Sequence, residues 1–162
     1  MILTRLRLFF AVVVAVAAVE TAALFAITLG NDDPASTVVQ FAVAAGVALV
    51  GSGMVVSRTR FLRRPWNTAS DDAVVAGFVA RWVVQVTLAF GAMNLGFAGA
   101  ILTGASWIGL LGLVFFLAPL PRLVPTERNL HRVEAELAEQ GAAVDLVAAL
   151  RRPVGASRGE GD

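Results

Sequence analysis

Glu20 and Arg81 are ionisable side chains set inside long apolar stretches of this 162-residue sequence. A charge at the centre of a bilayer costs ~2.5–3.5 kcal/mol on insertion scales, so each calls for a partner or a task. At ~1.5 Å rise per helical residue, Glu20 lies ~18 Å and Arg81 ~10 Å from the nearer charged end of its stretch. Gln85 follows Arg81 by one turn on the same stripe, at nearly the depth of Glu20. A Glu20–Arg81–Gln85 cluster could line a proton, ion or substrate path. The structural alternative is a buried pair that fixes how two helices pack, or an Arg81 that snorkels to the headgroups. Transport paths use several polar positions along their length, and these stretches hold few. Asn94 and Thr87, on another stripe, suit hydrogen bonds across helices.

A second candidate is the run Arg58, Arg60, Arg63 and Arg64 ahead of Pro65-Trp66. Guanidinium forks match phosphate oxygens, so this run could hold lipid phosphates. Membrane topology alone would also account for it. His131, the single histidine, lies in a charged segment and reads as a solvated surface residue. One His and no Cys exclude a bis-His haem, thiolate chemistry, disulfides and iron–sulfur ligation. All 13 basic residues are Arg, so no Schiff base can form on a Lys. No Walker A loop, GxGxxG, HExxH or GxSxG motif occurs, and Asp71-Asp72 would point ~100° apart on a helix. No catalytic residue, metal site or cofactor is assigned, and the chain is not read as an enzyme.

The elements carrying these residues are read from composition. The chain is 57% hydrophobic and 15% charged, with mean hydropathy +0.76. A soluble domain would carry about 25% charge, so the chain reads as an all-α membrane protein, a four-transmembrane-helix bundle. Net charge of +1 gives no electrostatic case for nucleic acid. Spans are expected at about 8–29, 35–56, 74–102 and 106–120, within a transmembrane domain of residues 1–122. The first follows a short basic start. It is longer than the ~7–15 residues of a signal peptide's apolar region, so it is expected to be retained. Gly30-Asn31-Asp32-Asp33-Pro34 forms the first turn. Ala42, Gly46 and Gly53 share a face of the second span and suit close helix contact. Ser57–Asp72 reads as the longest polar loop, closing on a helix cap at Ser70-Asp71-Asp72. Residues 74–102 form the central helix, with small and polar residues on two faces. Thr103–Ser106 is a tight turn. Trp107 anchors the last span at the interface, and Pro119 and Pro121 end it.

Apart from Arg81, the arginines flank the spans before the first, after the second and after the fourth. The positive-inside rule makes that side cytoplasmic, with both termini inside. Residues 123–152 read as a cytoplasmic amphipathic tail. Thr126 caps its helix, Leu130, Val133 and Leu137 line one face, and a second short piece runs through Val144, Val147 and Leu150. Residues 153–162 are expected to be disordered. Arg in place of Lys, with heavy Ala, Val and Gly usage, points to a GC-rich bacterial genome and an inner-membrane location. The plan of four spans, a tight first turn and a basic central loop resembles several families of small bacterial membrane proteins, the ATP synthase I chain among them. No residue roles follow from that plan. The expected partners are the bilayer and another membrane protein or a second copy. The chain is expected to act by helix association, as an accessory, assembly or scaffold subunit or a homo-oligomer. The alternative is a small transporter or channel.

Overall fold

The computed structural model describes residues 2–28, 34–62, 65–142 and 144–152. The described helices are α1 (Ile2–Thr28), α2 (Thr37–Leu62), α3 (Asp71–Thr103), α4 (Ser106–Leu117), α5 (Leu120–Leu123), α6 (Glu127–Glu139) and α7 (Leu146–Arg151). No strand occurs among the described residues. Four stretches are long and apolar enough to cross a membrane: Ile2–Thr28, Thr37–Ser57, Asp71–Thr103 and Ser106–Leu123. Residues 29–33, which include all of the expected first turn but Pro34, the pair Arg63 and Arg64, and the segment 153–162 lie outside the described residues, as does the side chain of Arg58.

The helices run beyond the apolar stretches that mark them. α1 begins at Ile2 because Leu3 and Leu6, both buried, continue the inward stripe of Ala17 and Leu24 at helical spacing. α2 continues to Leu62, so the first residues of the expected polar loop, Arg58 and Arg60 among them, are helical. The chain meets no helix-breaking residue between Gly53 and Pro65. α3 starts where its cap was expected: the Ser70 hydroxyl accepts from the Ala73 amide at 3.1 Å, with Asp71 and Asp72 in the first turn. The last apolar stretch is broken, not ended, at Pro119. Proline cannot donate to the preceding turn, so α4 stops at Leu117, and α5 resumes with Pro121 in its first turn.

The described residues fall into two compact units. One comprises Val13–Arg64 and Arg81–Leu123. Here α3 crosses α4 at two glycines: a Cβ on Gly96 would lie 2.6 Å from the Gly112 Cα. Only hydrogen at both positions allows this backbone approach. Gly99 lies against Val43 of α2 and Ile108 of α4, and Gly109 against Leu24 of α1. The tight turn between α3 and α4 uses Gly104 at φ 67°, a conformation open to glycine. The Thr103 carbonyl there accepts from the Ala35 amide at 2.9 Å, tying this turn to the approach to α2. Of the four membrane-length stretches, α3 has the largest buried share, 33% of its most apolar window against 11% in α1.

The other unit comprises Met1–Val12, Pro65–Ala80 and Val124–Asp162. Its buried apolar side chains come from α1 (Leu3, Leu6), α3 (Val74, Phe78), α6 (Leu130, Leu137) and α7 (Leu146, Leu150). Thr126 caps α6 as expected, accepting from the Asn129 amide. α6 ends in a Schellman turn: Ala142 N–H bonds the Leu137 carbonyl and Gly141 N–H bonds the Ala138 carbonyl, with Gly141 at φ 82°. α7 is capped by Asp145, which accepts from the Ala148 amide at 2.8 Å. That start shifts the buried face to Leu146, Ala149 and Leu150, while Val144 and Val147 are half-buried. The tail is tied to the rest of its unit by Arg7 Nε donating to the Pro125 carbonyl at 3.2 Å. The Trp66 amide donates to Gln140 Oε1 at 3.4 Å, and Arg152 pairs with Asp71 at 3.5 Å.

Candidate functional site

α1 presents Glu20 on the inward stripe that carries Ala17 and Leu24, so helical period alone turns its carboxyl toward protein. The side chain is half-buried, and Oε2 is fully enclosed with no hydrogen-bond partner. Glu20 therefore forms no bond to Arg81 through that oxygen. An enclosed polar atom without a partner costs ~1–3 kcal/mol, so this oxygen is a liability that a purely packed helix would lack.

Arg81 is buried, at 9% exposure, in the first third of α3. Burial at this level places it among protein side chains instead of on an exposed, snorkelling face. Gln85 is half-buried one turn further on. It lines a narrow crevice with Gly51, Met54, Leu88 and Phe115, about 20 Å³ of which admits water. That is room for about one water molecule, too little for a continuous path. The crevice is lined by neither Glu20 nor Arg81, so the three do not converge on it.

Asn94 is half-buried, and its Nδ2 donates to the Phe90 carbonyl of its own helix at 2.9 Å. That bond is made within α3. Thr87 is exposed. Arg60 stands exposed in the last turn of α2, where a cation suits the helix dipole. His131 is exposed as expected, yet its Nδ1 lies 2.6 Å from Glu134 Oε2, and Glu134 Oε1 accepts from the Val147 amide at 3.1 Å. Glu134 thus joins α6 to the start of α7. No group of three or more metal-ligating side chains occurs among the described residues.

Two polar contacts lie outside the sequence-level reading. The Trp82 indole N–H donates to the Leu123 carbonyl at 2.7 Å in a buried setting, joining α3 to α5. The Trp107 indole N–H donates to Gln40 Oε1 at 3.0 Å, while Gln40 Nε2 donates to the Ala35 carbonyl. An indole or amide inside an apolar stretch needs a partner, and that need was the available signal.

The close glycine crossings, the enclosed carboxyl and the four membrane-length helices define a class, a chain able to pass a membrane several times and packed by small residues. Compared with known protein families, curated proteins and solved structures, the chain matches none.

Proposed function

We propose that this is a small multi-pass protein of a bacterial inner membrane, with both termini cytoplasmic, that works through helix association. It would serve as an accessory, assembly or scaffold subunit, or as a homo-oligomer. The observation that supports this reading is a contrast among glycines. Gly51, Gly96, Gly99, Gly109 and Gly112 are each filled by a neighbouring atom within 3.0 Å of an added Cβ. Gly46 and Gly53 of α2 have nothing within 4 Å, and with exposed Ala42 they keep a small-residue face open. Small residues let backbones approach closely in lipid, where apolar attraction between helices is weak. An open face of this kind suits a helix from outside the chain.

The absence of Cys gives a direct test, because Gly46→Cys would carry the single thiol in the protein. Mild oxidation of native membranes should yield a disulfide-linked dimer if copies share this face. A thiol-anchored photo-crosslinker at the same position should yield a defined heteromeric adduct if the partner is another protein. Neither product would appear if the face meets only lipid.

A second reading is a small transporter or channel in which Glu20, Arg81 and Gln85 serve a proton or ion path. The partnerless Oε2 of Glu20 favours it. Glu20→Gln in liposomes separates the readings: it stops flux in the second and leaves none to stop in the first.

A further inference from the structure

A crevice beside Arg7 is lined by Arg7 and Phe10 of α1 and by Val124, Pro125, Thr126 and Glu127 where α6 begins. It measures about 440 Å³, enough for a phosphate group and the first part of an apolar chain. Its walls divide by chemistry. Phe10, Val124 and Pro125 make an apolar side, and Arg7 supplies the cation.

Arg7 is held in place before any ligand arrives. Its Nε donates to the Pro125 carbonyl, which fixes the guanidinium plane and directs the Nη groups elsewhere. A fork whose orientation is already fixed loses less entropy on binding a phosphate. The acid in the lining, Glu127, is neutralised by an ion pair with Arg151. The charge left to the crevice is therefore that of Arg7.

The level of the crevice selects its occupant. Arg7 is the last charged residue before the apolar run of α1, and the next residues, Leu8 and Phe9, are 66% and 47% exposed. Exposed apolar side chains directly beyond a cation mark the boundary between hydrocarbon and headgroups. Lipid phosphates lie at that depth. We infer that this crevice is a binding site for the phosphate of an anionic phospholipid, with the guanidinium of Arg7 on the phosphate oxygens and Phe10 and Val124 against the start of an acyl chain. The site is distinct from the Arg58–Arg64 run and requires only that α1 sits in a bilayer, so it stands or falls separately from helix association.

The test uses the full chain purified in mild detergent, with phosphatidylglycerol or phosphatidylcholine titrated in and bound lipid counted by native mass spectrometry. One phosphatidylglycerol per chain should be retained about tenfold more strongly than phosphatidylcholine, the scale of a charge-assisted hydrogen-bonded contact. Arg7→Gln should remove that preference, and Arg60→Gln should keep it. Should Arg7→Gln fail to fold, Val124→Phe, which fills the crevice and keeps the cation, should lower retention in the same way. Equal retention of the two lipids, or a preference that survives both Arg7→Gln and Val124→Phe, would overturn the site. Displacement of phosphatidylglycerol by millimolar inorganic phosphate would overturn the lipid as its source, since a free anion would then suffice.

Discussion

Trp82 and Glu20 carry the two largest polar consequences inside the apolar stretches. Trp82 has its N–H satisfied by the Leu123 carbonyl, at 4% exposure. Trp82→Phe keeps most of the apolar contact and strands that carbonyl, so it should lower stability by ~1–3 kcal/mol, read by thermal unfolding in detergent. Glu20 is the reverse case. Its Oε2 has no partner to lose, so Glu20→Leu should leave the protein as stable or raise its stability by up to ~1–3 kcal/mol in the same measurement. A clear destabilisation would mean that the carboxyl holds the fold. Glu20 and Arg81 stood out in the sequence because charge in an apolar run is conspicuous. Their geometry did not, since residue spacing gives depth along one helix and says nothing of the azimuth between two. Asn94 shows the same limit: a polar residue in lipid must find a partner, and its own helix supplied the Phe90 carbonyl.

The helices were legible where period and composition agree. Apolar length marked the four membrane-length stretches, and the caps at Ser70 and Thr126 were readable because each needs only local atoms. Helix ends were less so, because Leu3 and Leu6 extend α1 through burial against other parts of the chain, a tertiary effect. The Gly96–Gly112 crossing was half-visible: the stripe on α3 could be seen, but the glycine it would meet on α4 could not. Gly112→Val would press a side chain to within 2.8 Å of the Gly96 Cα and 2.9 Å of the Met93 carbonyl. Backbone atoms cannot swing aside, so the cost should reach or exceed the ~1–3 kcal/mol of ordinary overpacking, again by thermal unfolding. In the tail, Leu137 is fully buried, and Leu137→Ala should cost ~2–5 kcal/mol of that unit's stability, measured as faster amide exchange across α6 and α7. Asp71→Asn should change little by comparison. Its pairing with Arg152 joins two side chains each about half in solvent, and such pairs contribute at most ~1 kcal/mol.

At the scale of the whole chain, the same small residues serve two ends. At Gly96, Gly99, Gly109 and Gly112, and at Gly51 of α2, they are consumed by packing within the chain, and at Gly46 and Gly53 of α2 they are left open. A Cβ at Gly46 would meet nothing within 4 Å, so Gly46→Leu should leave the isolated chain as stable as the parent or up to ~1 kcal/mol more stable, through the better helix propensity of leucine. In a complex built on that face, the same leucine would hold two backbones apart. The most direct measurement is therefore the mass of the tagged protein purified from its native membrane in mild detergent, alongside Gly46→Leu. The expected result is a stoichiometric complex, with a partner or with further copies, that Gly46→Leu reduces to single chains of undiminished thermal stability. A parent protein that emerges as single chains with no companion would contradict helix association. A complex indifferent to Gly46→Leu would contradict the open face of α2 as its seat.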